Sequence, residues 1–227
     1  MYRPLLDYLD RGLIFNLMKI ILIRHGQTQW NKEEIFRGRS DIPLDDVGIK
    51  QAKAITKRLS SSGIKAVYSS PLKRALETAQ IIAKRFNLKV KVVDDLIDFD
   101  FGKWQGLSLE EVQKQFPETY QKWLKEPHLA NIPNGENLDT VRQRVSKALN
   151  KILKGQQDNV AVVSHRVINK LLILAALSLD NFYFWQIKQD VGAISVLDYE
   201  DRIFVLPLLN DTCHLNMGEG KRRIKDF

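Results

Sequence analysis

The chain of 227 residues is 44% hydrophobic and 27% charged, close to globular averages, which predicts one domain and excludes a disordered or fibrous protein. Its longest apolar run in the C-terminal half, residues 171–177, is far short of the ~20 residues of a membrane span, and a single cysteine, Cys213, excludes an internal disulfide. The net charge of +8 points to an anionic partner, but basic and acidic residues interleave and aromatics do not alternate with cations, which argues for a small anion over nucleic acid.

Residues 1–17 are interrupted by Asp7, Asp10 and Arg11 and lead to no small-residue cleavage site, so they are read as an N-terminal extension and not a secretion signal. With Cys213 read as a small buried hydrophobe, the expected setting is the reducing cytoplasm, without a membrane partner. The fold is expected to start at Met18. The apolar run Ile20, Ile21, Leu22 and Ile23 reads as a strand buried on both faces. A helix follows over 45–62, with Val47, Ile49, Ala52, Ile55 and Leu59 at helical spacing and Gly63 closing it. A strand over 66–69, a helix over 72–86 and a strand over 90–93 continue the alternation. Residues 104–137, rich in proline, read as a small cap insertion carrying two short amphipathic segments. A helix over 138–154, a strand over 161–164 and a helix over 167–177 come next. Strands over 194–199 and 203–209 then form a hairpin, and 217–227 is a basic tail. This order predicts a three-layer α/β/α domain, with a mostly parallel sheet and an antiparallel edge. Exposed edge strands make a homodimer conceivable.

In open parallel sheets ligands sit at the carboxyl ends of strands. The first predicted strand ends in Arg24, His25 and Gly26; the strand over 161–164 ends in His165 and Arg166; and the strand over 66–69 leads through Ser70 to Arg74. Two histidines and three arginines therefore converge on one sheet edge, where a helix N-terminus after His165 adds free N–H groups that favour an anion such as phosphate.

These residues, RHGQTQWN at 24–31, FRGRSDIPLDDVGIKQA at 36–52, SSPLKRALETAQ at 69–80, DFDFGKWQG at 98–106, IPNGENLDTVRQRV at 132–145 and VVSH at 162–165, resemble the histidine phosphatase superfamily, over about 18–215. The resemblance implies a metal-independent phosphatase, without a cofactor, that hydrolyses a small phosphorylated metabolite. His25 would take up the phosphoryl group as phosphohistidine, Arg24, Arg74 and His165 would hold its oxygens, and Asn31 would complete the pocket. Gly26, Arg37 and Arg166 join the substrate-binding candidates. The four histidines, His25, His128, His165 and His214, lack close ligand spacing, so no metal site is expected.

The family's acid, a glutamate four residues before the glycine, falls here on Asp98, one methylene shorter, with Asp100 and Asp95 as rivals. Arg166 stands where the family frequently has glycine, so it either points away or selects a second anionic group. Residues 122–138 and 209–215 are similar to segments of metal-independent phosphoserine phosphatases, which makes phosphoserine the favoured substrate. His128, Glu136 and His214 would then sit near its amino acid part, although Asn137 replaces a frequent serine. Sugar phosphates and alpha-ribazole phosphate remain alternatives. A phosphoglycerate mutase is a further alternative, disfavoured because residues 107–135 hold no arginine. So is a non-catalytic phospho-ligand module, admitted by the Asp98 departure.

Overall fold

The computed structural model describes residues 17–215, so the N-terminal extension up to residue 16 and the basic tail lie outside the described residues. Strand β1 (Met18–Arg24) is followed by a four-residue helix α1 (Gln29–Lys32), then α2 (Asp46–Arg58), β2 (Ala66–Ser69), α3 (Lys73–Arg85) and β3 (Val90–Val92). The chain continues through α4 (Leu109–Gln115), α5 (Pro117–Lys125), α6 (Leu138–Gly155), β4 (Val160–Ser164) and α7 (Arg166–Ala176) to β5 (Ile194–Glu200) and β6 (Ile203–Asp211).

The six strands form one sheet in the order β3-β2-β4-β1-β5-β6. The first four are parallel, and β5 and β6 add the antiparallel edge. Alternate residues of β1 feed two cores: Met18, Ile20 and Leu22 pack with Val141 and Val145 of α6 and Ile168 and Leu172 of α7, while Ile21 and Ile23 pack with Ile55 of α2 and Ala79 and Ile82 of α3. A strand buried on both faces needs the continuous apolar run seen in the sequence. Each such isoleucine contributes about 2–3 kcal/mol by burial. The chain thus has the α/β sandwich expected, with β1 at its centre.

Two details differ from expectation. Helix α2 ends at Arg58, four residues early, because Ser62 Oγ donates to the Leu59 carbonyl in a serine-rich turn that Gly63 leaves at φ +67°. Its first-turn residues Val47 and Ile49 are exposed, and only Ala52, Ile55 and Leu59 form the buried stripe. Cys213 is exposed, not buried, since it lies in a one-turn 3-10 segment after β6 whose backbone N–H donates to Asp211.

The segment expected as an insertion carries α4 and α5. Its Trp104 and Trp123 are fully buried and pack against Phe99 and Phe101, with ring centroids 5.5–6.4 Å apart for Phe99–Trp123, Phe101–Trp123 and Phe101–Trp104. This aromatic cluster seats the loop between β3 and α4 beside the sheet edge. Among the described residues no helix is long and apolar enough to cross a membrane.

Candidate active site

Parallel registers between β1 and β4, Arg24 with Ser164, and between β2 and β4, Ser69 with Val163, bring three strand ends level. The His25 N–H continues the ladder by donating to the Ser164 carbonyl at 3.0 Å, so sheet pairing itself sets where the imidazole starts. The loop then passes so close to α2 that a Cβ on Gly26 would lie 2.5 Å from the Gly48 carbonyl oxygen, and one on Gly48 2.1 Å from that of Gln27. Two glycines are required for this crossing.

His25 Nδ1 lies 2.7 Å from the Gly26 carbonyl, which can only accept, so Nδ1 carries the proton and Nε2 keeps a lone pair. Burial, followed by the charges of Arg74, His165, Arg24 and Arg37, holds the His25 pKa well below its usual value. His165, the N-cap residue of α7, is held low in the same way, by burial and then by Arg74, Arg24, Arg37 and Arg144. Both rings are neutral at pH 7, and their centroids are 5.2 Å apart.

His165 Nε2 lies 2.7 Å from Ser70 Oγ, which in turn accepts the Leu72 N–H at 3.3 Å. Nδ1 faces Asp98 Oδ2 at 3.5 Å, an oxygen that as carboxylate only accepts, which assigns the ring proton to Nδ1 and makes the serine hydroxyl the donor to Nε2. Arg24 is fully buried and donates through Nη1 to the Gln189 carbonyl at 2.8 Å. Arg74, in the first turn of α3, donates to the carbonyls of Ser40 and Gly38, each at 2.7 Å, and meets Asp98 Oδ2 at 2.9 Å. Burial lowers its pKa to about 10, against the opposing pull of Asp98, so it stays charged. Asn31 is buried. Its Oδ1 accepts from the Thr28 N–H and hydroxyl, each at 2.9 Å, while its Nδ2 has no hydrogen-bond partner among the described residues.

Asp98 comes from the loop between β3 and α4 and is held by side chains. The Arg144 guanidinium of α6 donates to the carbonyls of Asp95 and Ile97, both at 2.7 Å, and of Asp98 at 3.1 Å. It also grips Glu136 through two bonds, at 3.1 and 3.0 Å. Glu136 Oε2 accepts the Asp100 N–H, and Oε1 meets Arg39 at 2.9 Å. One ionic clamp therefore carries the loop.

His25, Arg24, Asn31 and Asp98 line one pocket together with Glu34, Ile35, Phe36, Arg37, Gly38, Phe101, Arg166 and Val167. Arg166 thus faces the pocket, and Asp98, not Asp95 or Asp100, is the carboxylate of its loop that lines it. Asp100 instead accepts the Gly102 N–H and lies 3.5 Å from Arg39. His128, Glu136 and His214, expected near the substrate's amino acid part, do not line it. The His128 ring packs on Phe182, Glu136 serves the clamp, and His214 Nε2 lies 3.0 Å from the Gly192 carbonyl. Asn137 caps α6 by accepting the Thr140 N–H. Sequence reading missed Arg144, Ser70's bond to His165 and Glu34. Arg144 flanks the buried stripe Leu138, Val141 and Val145, which signals a half-buried head group but not what it holds. Among the described residues no group of three or more His, Cys, Asp or Glu side chains is placed to hold a metal ion.

Residues 20–212 match the family model of the histidine phosphatase superfamily, branch 1. The chain is 38% identical over 200 residues to phosphoserine phosphatase 1 of Hydrogenobacter thermophilus, covering 88% of this chain and 95% of that protein. It is 29% identical over 194 residues to the adenosylcobalamin/alpha-ribazole phosphatase of Escherichia coli, covering 85% and 96%. Among solved structures it is similar to Bacillus stearothermophilus YhfR, with a TM-score of 0.83 at 28% identity, covering 87% and 99%.

Proposed function

Because the chain belongs to branch 1 of the histidine phosphatase superfamily and is a phosphoric monoester hydrolase for small phosphomonoesters, we propose that it acts through a phosphohistidine on His25, without a metal. The observation that carries this reading is a buried, neutral His25 whose Nδ1–H is tied to Gly26 and whose Nε2 lone pair remains, beside the buried Arg24 and Arg74.

In the first step Nε2 attacks phosphorus in line, the N–P bond forms and the P–O ester bond breaks. Arg24, Arg74, the Asn31 amide and the His165 Nδ1–H hold the equatorial oxygens as charge spreads over them. The leaving alkoxide takes a proton from Asp98. In the second step water attacks phosphorus, its proton returns to the Asp98 carboxylate, and inorganic phosphate leaves His25 with its lone pair restored. The shorter aspartate is offset by where its loop lies: Oδ2 already touches Arg74 and approaches His165 Nδ1, so the acid starts inside the phosphoryl site. An arriving phosphoryl group competes with Asp98 for Arg74, which frees the carboxyl for the leaving oxygen.

Phosphoserine is the favoured substrate, supported by the Hydrogenobacter thermophilus relative; alpha-ribazole phosphate is the second reading, supported by the Escherichia coli one. A phosphate-release assay over p-nitrophenyl phosphate, phosphoserine, sugar phosphates and alpha-ribazole phosphate, with EDTA present, tests the reading. Release from at least one ester under full chelation is expected. Activity that vanishes with EDTA and returns only with added metal would overturn metal independence.

A further inference from the structure

The two ring nitrogens of His165 are in different company. Nε2 lies 2.7 Å from Oγ of the fully buried Ser70, whereas the equally buried Nδ1 has no hydrogen-bond partner among the described residues, with Asp98 Oδ2 still 3.5 Å away. A buried polar atom left unpaired is costly, and a ligand that satisfies it on arrival recovers that cost. The oxygens of a phosphoryl dianion only accept, so Nδ1 serves one of them only if it carries the ring proton.

Ser70 is built into the fold in a way that fixes where its own proton goes. Its backbone N–H donates to the Val163 carbonyl at 3.0 Å, so sheet pairing carries it alongside β4, which runs on through Ser164 into His165. Its Oγ accepts the N–H of Leu72, the N-cap residue of α3, at 3.3 Å. A hydroxyl that already accepts there has one proton to give, and His165 Nε2 is the only other group bonded to this oxygen among the described residues. Donation to Nε2 satisfies both. The opposite tautomer makes Oγ accept twice, leaves the buried hydroxyl proton without an acceptor and turns the Nδ1 lone pair toward the Asp98 carboxylate. Asp98 Oδ2 is too distant to hold the tautomer alone and is itself engaged by Arg74 at 2.9 Å.

We infer that Ser70 is a positioning residue for phosphoryl transfer: by donating to Nε2 it locks His165 in the tautomer whose Nδ1–H is free to donate to an equatorial phosphoryl oxygen. This inference rests on the phosphohistidine reading and adds to it the residue that makes His165 a donor. Ser70 also begins the turn that leads into α3, the helix that carries Arg74, so one buried serine bears on two of the groups that hold the phosphoryl oxygens.

NMR of the protein labelled with nitrogen-15 at histidine, with the His165 signals assigned by their loss in His165→Gln, reads the tautomer without any turnover. In the wild type at neutral pH, Nδ1 should carry the proton and Nε2 should resonate as an unprotonated, hydrogen-bonded nitrogen. In Ser70→Ala the two resonances should move toward each other, the mark of tautomers in exchange. The variant's kcat/KM should fall about 10-fold, on the scale of a buried hydrogen bond left unmade, and by the same factor for alkyl and aryl esters, because the donor serves equatorial oxygens whatever group leaves. Ser70→Thr, which keeps the hydroxyl, should restore both the spectrum and the rate. A wild-type His165 protonated on Nε2 overturns the inference. So does a Ser70→Ala protein that loses rate with the His165 resonances unmoved, since Ser70 would then be merely structural. Should Ser70→Ala fail to fold, the wild-type spectrum decides. Absence of a phosphoenzyme on His25 overturns the phosphohistidine reading and the role of Ser70 in it, and is told apart from failure of the inference alone because the spectrum still reports the Ser70 hydrogen bond.

Discussion

His25 and Asp98 face the same pocket, yet His25 leaves a central strand with its N–H on Ser164, whereas Asp98 rides on a loop whose carbonyls at 95, 97 and 98 all rest on Arg144. The end that carries the proposed nucleophile is positioned by backbone pairing and a glycine crossing, which side-chain changes at a distance barely move. The end that carries the proposed acid is positioned by one guanidinium and one carboxylate, so its placement can be altered without touching the sheet. On the proposed mechanism, phosphate binding and proton donation should therefore be separable, and substitutions should fall on one side or the other.

The largest effect belongs to the strand-end side. His25→Ala should lower turnover by about 10⁵–10⁶-fold for every ester, alkyl or aryl, as loss of a covalent nucleophile does elsewhere. Circular dichroism and thermal unfolding of the variant should match the wild type, and near-normal turnover by a folded variant would refute the role of His25. On the loop side, Asp98→Asn keeps the shape and removes the proton. Single-turnover transfer from an alkyl phosphate should slow by about 10²–10⁴-fold, and from p-nitrophenyl phosphate far less, because that leaving group needs no proton. The leaving-group dependence should be absent from Asp100→Asn; its appearance there would move the acid to Asp100.

Arg144→Gln sharpens the comparison further, since Arg144 touches no pocket-lining side chain but holds the backbone of one. An about 10-fold loss with alkyl phosphates is expected, on the scale of a lost charge-assisted hydrogen bond, with a smaller loss for aryl esters and little change in inhibition by inorganic phosphate. Combined with Asp98→Asn it should add almost nothing to the alkyl loss, whereas a merely structural Arg144 would add its full effect. Equal losses for both ester classes would contradict the clamp.

The smallest effect is on stability against pH. His25 and His165 have folded pKa values well below 6.5, so below pH 6.5 the unfolded chain binds more protons than the folded one. Stability from these two groups is intact above pH 6.5 and is lost as pH falls toward the folded pKa values. Relative to the wild type, His25→Asn should gain in melting temperature between pH 7.5 and pH 5; a constant difference would mean that His25 is not held neutral by the fold.

The alternation of strand and helix was legible because β1, β2 and β4 are buried on both faces and so keep unbroken apolar runs, while α3 and α6 keep helical spacing. The strand-end residues Arg24, His25, Arg74 and His165 were legible for the same reason, since a parallel sheet brings its carboxyl ends to one edge. The loop around Asp98 was not. Its contacts with Arg144 and Glu136 join residues 36–49 positions apart through backbone carbonyls, which any residue supplies and no motif marks. Glu136 and His214 were polar residues near similar segments, and nothing in their spacing told a substrate contact from a clamp or a bond to the Gly192 carbonyl.

The central claim, a phosphoryl group carried on a tautomer-fixed His25, is tested most directly by trapping it. Wild-type enzyme mixed with excess p-nitrophenyl phosphate, quenched in alkali within the first turnover and examined by phosphorus NMR and peptide mapping, should carry phosphate on His25 at Nε2, stable in base and lost in acid. Phosphate on Nδ1 or on another residue, or continued turnover with no phosphoenzyme in either the wild type or a variant slowed in hydrolysis, would contradict it.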